Sequence, residues 1–213
     1  CPESKLSGVS YTDFINQMWY QRSLSIPAEW QGKKILLNFG AVDYFAEIFI
    51  DGEFVGNHCG GSSSFSIDLT RSVKPGQTHN LVVFVIDDIR SGAQAVGKQS
   101  PQVSSFACFY TRVTGIWQTV WMEGVNNSHI SELSIIPDVD NSLVKIKING
   151  NNALSCQAII RIYDKGSLVT EKIGKVFQTI ELPIAQPKLW SPDSPFLYDV
   201  EIELRSNNQT VDK

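Results

Sequence analysis

The sequence predicts an all-β protein built of two consecutive β-sandwiches. Apolar and polar residues alternate in several short segments, as they do along half-buried strands. Turn signals rich in Gly, Asn and Asp separate these segments, and no segment shows a convincing helical period. The 213 residues suffice for one large or two small domains, but not for two small domains plus a (β/α)₈ barrel, which alone needs about 250 residues.

The first half of the chain contains three clear strand signals. Ile35, Leu37 and Phe39 alternate with Leu36 and Asn38, which predicts a strand with one buried face. Residues 47–50 and 53–55 flank Asp51-Gly52, a pair suited to a type I′ turn because both central residues need a positive φ, so this stretch predicts a β-hairpin. Residues 80–86 form a continuous apolar run, which predicts a strand covered on both faces.

The second half reads as a separate sandwich. Residues 143–148 place their lysines on one face only, and residues 198–204 alternate cleanly. The polar stretch 124–128 precedes a new strand and marks the predicted boundary between domains at 1–125 and 126–213. The second domain has the length and strand spacing of an immunoglobulin-like sandwich.

Three segments depart from the pattern of short strands. Residues 11–20 suggest a short helical turn, and the aromatic stretch 116–122 predicts a strand. Residues 88–114 carry few strand signals and many Gly, Ser, Gln and Pro residues, and a loop of this length in a compact domain is typically functional or disordered. This loop ends in an aromatic and cationic cluster of Phe106, Phe109, Tyr110, Arg112 and Trp117.

The composition excludes several classes of partner. The formal net charge is -4, without a basic block or stripe, which argues against nucleic acid. No apolar run approaches the roughly 18 residues of a membrane helix. The cysteines (Cys1, Cys59, Cys108 and Cys156) are scattered and are interpreted as free thiols. No His/Cys spacing matches a zinc ligand pair, so neither a metal nor a cofactor is expected.

Several motifs, in order, resemble glycoside hydrolase family 2, and in particular its β-galactosidase-like members. Residues 39–44, 50–58, 60–61 and 65–69 are similar to the amino-terminal sugar-binding domain of that family. The run Phe109–Glu123 resembles the final signature of that domain, and Leu189–Tyr198 resembles the end of the immunoglobulin-like second domain. The resemblance implies a jelly-roll, galactose-binding-like sandwich for 1–125, followed by the immunoglobulin-like sandwich.

The resemblance also implies where the chemistry lies. Retaining glycosidases need two carboxyl groups roughly 5 Å apart. In the family both are glutamates on a carboxy-terminal (β/α)₈ barrel, and the acid/base follows an asparagine. This sequence has no Asn-Glu dipeptide, so no catalytic residue is assigned to it. The chain is therefore expected to be an inactive fragment of a longer enzyme, lacking its first strands, with the barrel as its partner and a carbohydrate as the substrate of the whole protein.

Three residues are candidates for the rim of the sugar pocket: Arg112, Tyr110 and Phe109. Arg112 is the strongest, because a guanidinium donates in a fixed fork and stacks on aromatic rings. An ion pair or carbonyl contact that holds the long loop is an equal alternative for Arg112. In the resembled β-galactosidases an aspartate in this stretch helps to bind sugar and a monovalent cation. Phe109 stands at that position, a departure that argues against both contacts.

The remaining motif residues are interpreted as structural. His58 is expected to fix a glycine-rich bend at Gly60 and Gly61 by a hydrogen bond. Gly115 is a further motif residue of this kind, two positions before Trp117. Trp117 and Trp121 share strand parity, and packing in the core is favoured over a sugar-stacking platform. Trp190 is expected to be a packing anchor at the edge of the second domain. Cys108 is expected to be a small core residue, and Asp87-Asp88 a strand end with solvated charge.

Two rival functions remain. A stand-alone carbohydrate-binding module with an adaptor domain exposes an aromatic platform and binds free sugar. Accessory domains of a hydrolase instead expose an apolar docking patch and bind no free sugar measurably. A purely structural spacer, whose long loop orders only on the barrel, is a third interpretation. Unpaired sheet edges left by missing strands also predict self-association.

Overall fold

The computed structural model describes residues 3–9 and 11–213. The chain divides into two compact units, the first ending at Gly124 and the second spanning Val125–Lys213. The expected boundary lies one residue further along the chain. Cys1, one of the four cysteines interpreted as free thiols, lies outside the described residues.

The first unit is a β-sandwich. Its strands are β1 (Gln17–Ser25), β2 (Lys34–Phe39), β3 (Val42–Asp43), β4 (Phe45–Ile50), β5 (Glu53–Cys59), β6 (Phe65–Asp68), β7 (Thr78–Ile86), β8 (Gly115–Ile116) and β9 (Val120–Val125). Short 3₁₀ turns lie at Lys5–Ser7 and Ala28–Trp30. Within the described residues the antiparallel sheet β1-β7-β4-β5 faces the sheet β6-β2-β9, and β3 pairs with β8. This architecture confirms the all-β sandwich.

The core of the first unit lies between the two sheets. Strand β2 contributes Ile35, Leu37 and Phe39, each at most 1% exposed, as their alternation predicts. The hairpin of β4 and β5 is also confirmed, and its turn residues have the positive φ values of 52° at Asp51 and 89° at Gly52. Both turn residues therefore adopt the left-handed region that this pair tolerates.

Other expectations for the first unit need correction. Strand β7 buries one face on the core, but its second face is half-exposed, because the strand belongs to an antiparallel sheet whose outer side is not covered. Residues 11–20 form no helical turn, and β1 begins within this stretch at Gln17. The aromatic stretch 116–122 is broken between β8 and β9. The run is interrupted because β8 pairs with β3, whereas β9 pairs with β2 in another sheet.

The second unit is a sandwich of two antiparallel sheets. Its strands are β10 (His129–Asp138), β11 (Leu143–Asn151), β12 (Gln157–Asp164), β13 (Ser167–Lys175), β14 (Thr179–Pro183), β15 (Asp199–Ser206) and β16 (Gln209–Asp212). Among the described residues one sheet has the order β10-β11-β14 and the other β13-β12-β15-β16. Val144, Ile146 and Ile148 point into the core and leave the lysines of β11 outside, as predicted.

The core of the second unit is closely packed around Gly174. A Cβ atom at Gly174 would lie 2.3 Å from Cδ1 of the buried Ile180. We therefore expect Gly174→Ala to lower the free energy of unfolding of the second unit by about 1 kcal/mol, since overpacking a core forces side chains off their rotamers. Urea unfolding followed by circular dichroism measures this change. Ser167→Ala, at an exposed position of the same strand, is the control, and equal stability of the two variants would contradict the clash.

Candidate functional site

A cavity of about 830 Å³ opens in the first unit between the end of β3, the glycine-rich bend after β5 and the long loop. Its described lining residues are Asp43, Tyr44, Gly60, Gly61, Ser62, Ser63, Ala95, Val96, Gly97, Gln99, Tyr110, Val113 and Trp117. We call it the Asp43 cavity. Its described lining contains one carboxylate and no Lys, Arg or His, together with aromatic, amide and hydroxyl groups.

Asp43 is the chemical centre of this cavity. The residue is 7% exposed, and its Oδ2 accepts a hydrogen bond of 2.7 Å from Nε2 of Gln99. Oδ1 has no hydrogen-bond partner among the described residues. Burial raises the pKa of the Asp43 carboxyl, and the bond from Gln99 opposes this shift. Oδ1 is itself inaccessible to solvent, so the carboxyl contributes negative charge to the cavity rather than offering this oxygen to a ligand.

Gln99 holds the Asp43 carboxyl by a hydrogen bond, and the backbone of Gly61 lies close to it. Oε1 of Gln99 accepts the backbone N–H of Val113 at 2.7 Å, so this side chain links the carboxyl to the end of the long loop. On the other side, a Cβ atom at Gly61 would lie 2.2 Å from Oδ1 of Asp43. Only glycine therefore allows the bend to approach the carboxyl this closely.

Arg112 holds the long loop to the amino-terminal segment. Its side chain is 2% exposed, and Nη2 donates to the carbonyls of Thr12 at 2.5 Å and Asp13 at 2.6 Å. Nη1 donates to the carbonyls of Gln102 and Val103. These contacts agree with the alternative in which Arg112 holds the long loop rather than forming the rim of a sugar pocket. Arg112 does not line the Asp43 cavity.

The other two rim candidates lie in different surroundings. Tyr110 lines the Asp43 cavity and is half-exposed, and its backbone bonds to Lys98 and Ser100 fix the loop there. Phe109 stacks on Phe106 with ring centroids 5.0 Å apart and does not line the cavity. Because a phenyl ring offers no oxygen ligand, Phe109 does not fit the cation contact that the resemblance implies at this position.

The tryptophans of the last motif are not core residues. Trp117 is 47% exposed and Trp121 is 41% exposed, which corrects the expectation of packing in the core. Shared strand parity failed as a guide because Trp117 follows β8 and lies outside both strands. The Trp117 indole Nε1–H donates to the Gly61 carbonyl at 2.8 Å, and that of Trp121 donates to Glu123 at 2.5 Å.

Two further expectations about this region are wrong. Cys108 is exposed, because it lies at the tip of a tight turn between Phe106 and Phe109. Asp87 is not solvated: it is 2% exposed, and Oδ1 accepts a bond of 2.6 Å from Gln94. Burial, followed by the charge of Asp43, raises the pKa of Asp87 to about 6. The long loop folds over this strand end. The alternation of residues along a strand cannot predict that a distant loop will bury its end.

The glycine-rich bend and Gly115 have specific partners. Nε2 of His58 lies 3.1 Å from the Ser63 hydroxyl, and its ring stacks on Phe65 at 4.1 Å between centroids. The Gly60 N–H donates to the carbonyl of Tyr44, with φ of 129° at Gly60. Gly115 has φ of 83° and faces the Tyr20 hydroxyl, which accepts the next N–H of the chain. Each glycine is thus required by close approach or by its φ.

The second unit carries an apolar groove of about 590 Å³. Trp190 lines it and is 59% exposed, so within this unit it is not the packing anchor that its motif suggested. Leu189 and Leu197 in the same groove are also exposed, at 56% and 76%. This groove has the character of a docking patch.

The roles of Asp43 and Gln99 in the Asp43 cavity were not predicted from the sequence. Asp43 belongs to a motif that was recognised, and the only signal of a role was an acidic side chain within an apolar strand end. Gln99 lies in a polar loop in which nothing distinguishes it from its neighbours. Its role depends on two tertiary hydrogen bonds, which no local pattern encodes.

The described residues give no sign of a metal centre or a spanning helix. Within residues 3–9 and 11–213, no group of three or more His, Cys, Asp or Glu side chains is arranged to hold a metal ion. In the same part of the chain, no helix has the length and apolarity needed to cross a membrane. Cys59, Cys108 and Cys156 are free thiols.

Two family models together match most of the chain. The one described as "Glycosyl hydrolases family 2, sugar binding domain" matches residues 9–123, and the one described as "Glycosyl hydrolases family 2" matches residues 128–213. Among solved structures, a β-glucuronidase from Ruminococcus gnavus has a TM-score of 0.77 at 24% identity, over 94% of this chain and 35% of that one. This likeness supports the fold.

Similar curated proteins are much longer than this chain. A β-galactosidase of Thermoanaerobacter pseudethanolicus is 26% identical over 94% of the chain and 28% of its own length. A putative β-glucuronidase of Formosa agariphila is 28% identical over 91% of the chain and 24% of its own length. The chain thus spans about a quarter of the length of these relatives. With both of its units matched in order, the chain belongs to family 2 of the glycosyl hydrolases.

Proposed function

We propose that the two units are non-catalytic accessory domains of a retaining glycoside hydrolase, and that the Asp43 cavity is the part of the sugar site that they supply. The observation that carries this proposal is the lining of the cavity. It combines one buried carboxylate, aromatic rings and neutral polar groups, a composition suited to a carbohydrate. A retaining mechanism needs two carboxyl groups about 5 Å apart, and Asp43 is the one carboxylate in the described lining.

The sugar proposed for this cavity is neutral, and of the two sugars that the relatives' names give, a β-linked terminal galactose is favoured over a glucuronate. Relatives include both β-galactosidases and β-glucuronidases. A uronic acid carries a negative charge, which favours an Arg or Lys partner. The described lining offers no cation and places the Asp43 carboxylate there instead, so a glucuronate would meet a like charge.

Saturation-transfer NMR on the 213-residue chain tests the cavity. Because the Asp43 cavity would supply part of the sugar site, we expect weak binding of D-galactose, in place of the absence of measurable binding expected from the sequence, and weaker binding of D-glucuronate. Asp43→Ala should lose at least about tenfold in galactose affinity, since it removes both the carboxyl and the bond that holds Gln99 in the lining. Asp193→Ala, on the exposed surface of the second unit, should bind as the unmodified chain does. Tighter binding of glucuronate, or unchanged affinity in Asp43→Ala, would refute the neutral-sugar cavity.

The accessory role has its own test. We expect no release of nitrophenol from nitrophenyl β-galactoside by the chain alone. The reading frame beyond Lys213 should encode a (β/α)₈ pattern of roughly 250 residues or more with an Asn-Glu pair. The exposed groove around Trp190 would dock this domain. A stop codon directly after Lys213 would rule out the accessory role.

The rival of a stand-alone carbohydrate-binding module is favoured by one observation. Trp117 and Trp121 are both about half exposed, as a binding platform requires. Under this second hypothesis the chain binds free sugar tightly and needs no further domain. Micromolar affinity for a free saccharide, combined with the stop codon, would support the rival over the accessory role.

A further inference from the structure

A second cavity of about 750 Å³ lies beside the Asp43 cavity. Trp117 and Ser62 line both cavities, so the two are contiguous along the surface of the first unit. Trp121 lines the second cavity but not the Asp43 cavity, as do Gly40, Ser64, Gln118 and Thr119. We call this second cavity the tryptophan shelf.

The indole N–H of each shelf tryptophan has a hydrogen-bond acceptor. The Nε1–H of Trp117 is bonded to the Gly61 carbonyl, and that of Trp121 is bonded to Glu123. Close to half of each side chain nevertheless remains exposed, 47% and 41%. Since the polar edges already have partners, the apolar ring surfaces are what remains available to a ligand. A ring that already makes such a bond loses less conformational entropy on binding than an unbonded ring.

The polar groups of the shelf indicate what kind of ligand fits. Its described lining contains hydroxyl and amide side chains and no charged residue. Aromatic rings beside neutral hydrogen-bonding groups suit the C–H faces and hydroxyls of a neutral sugar. A protein-docking patch would be more apolar, as the groove around Trp190 in the second unit is.

We propose that the tryptophan shelf binds a further sugar unit of a neutral oligosaccharide whose terminal residue occupies the Asp43 cavity. The inference rests on the proposed function for the position of that terminal sugar. It adds the substrate class, because a ligand that reaches both cavities has at least two linked sugars. Trp117 is the shared wall, and Trp121 contacts only the unit beyond the terminal one.

Indole N–H cross-peaks in ¹H–¹⁵N NMR spectra of the full chain test this inference. The sequence has five tryptophans, and Trp→Phe variants assign their cross-peaks. Galactose should shift the cross-peak of Trp117 only. β-Linked galactotriose should shift those of Trp117 and Trp121 and bind about fivefold more tightly, the gain of one aromatic–sugar contact.

Two variants separate the shelf from the Asp43 cavity. Trp121→Ala should remove the advantage of galactotriose and leave galactose binding unchanged. Trp19→Ala is the matched control, because Trp19 is 64% exposed but lies on β1, away from both cavities. It should leave both affinities unchanged.

The outcomes distinguish the two proposals. Equal affinity for the two sugars, or a galactotriose advantage that persists in Trp121→Ala, overturns the shelf while the Asp43 cavity stands. A shift of Trp121 by galactotriose, without any effect of galactose on Trp117, supports the shelf and contradicts the cavity. If neither sugar at millimolar concentration shifts either indole, both proposals are wrong.

Discussion

Replacing Arg112 with methionine is expected to lower the free energy of unfolding of the first unit by about 3 kcal/mol, because four carbonyls lose the charged donor that the buried Arg112 side chain supplies. The Arg112 guanidinium donates to four carbonyls, two in the amino-terminal segment and two in the long loop. It also lies 4.1 Å from the centroid of the Phe14 ring. Methionine retains much of the apolar stem, so the loss reports the hydrogen bonds rather than a cavity.

Arg112→Met should also increase hydrogen exchange in the long loop. Without the guanidinium the long loop has fewer ties to the amino-terminal segment, so amide hydrogens near Tyr110 should exchange faster. Galactose binding should weaken as well, since Gln99 and Tyr110 reach the Asp43 cavity from this loop. Urea unfolding and hydrogen exchange measured on the same variant connect the two effects.

Arg90 provides a matched control. Its guanidinium lies 3.7 Å from the centroid of the same Phe14 ring, but the residue is exposed. Arg90→Met should therefore change the stability by less than about 0.5 kcal/mol, as exposed substitutions normally do. If both variants lose the same stability, contact with Phe14 rather than the four carbonyl bonds holds the loop, and the role given to Arg112 is wrong.

The sequence predicted those parts of the fold that depend on local pattern. Alternation at Ile35, Leu37 and Phe39 requires only that one face of a strand be buried. The Asp51-Gly52 hairpin requires only two residues that accept positive φ. Both signals are contained in a few consecutive residues, and both were correct.

The errors concern residues whose environment is set by distant segments. Asp87 follows an exposed strand end in sequence, yet Gln94 and the rest of the long loop cover it. Trp121 alternates like a core residue, yet the face of β9 that carries it is open. Parity tells which residues share a face but not whether that face is covered.

The candidate site was predicted only in part for the same reason. Tyr110 and Trp117 were singled out as aromatic residues of a recognised motif, and both line the Asp43 cavity. Asp43 and Gln99 were missed because their roles arise from contacts across 56 positions of the chain. The one signal in the sequence was that Asp43 is an acidic residue at the end of an apolar strand.

Asp87→Asn is expected to stabilise the first unit by about 2 kcal/mol near neutral pH and to have no effect near pH 4. The Asp87 carboxyl is 2% exposed, and its Oδ2 has no hydrogen-bond partner among the described residues. Burial, with the nearby charges of Asp43 and Glu3, outweighs the bond from Gln94 and raises the pKa of Asp87 from 3.8 to about 6. The ionised form is therefore held in an unfavourable place.

The direction of the pH effect follows from the raised pKa of Asp87. The folded state binds the proton more tightly than the unfolded state, so the full stability is present below about pH 4 and is lost as the pH rises through about 6. Asparagine cannot ionise, and its amide oxygen can still accept the bond from Gln94. The difference in stability between Asp87→Asn and the unmodified chain should therefore grow across this pH range and level off above it.

Urea unfolding of the first unit at several pH values measures this difference directly. Asp88→Asn is the control, because Asp88 is the partly exposed neighbour and should show little effect at any pH. A constant difference between pH 4 and pH 8 would mean that Asp87 does not titrate in this range, and destabilisation by asparagine at neutral pH would mean that the charge is compensated. Either result would contradict a buried carboxylate that is retained at a cost in stability beside the Asp43 cavity.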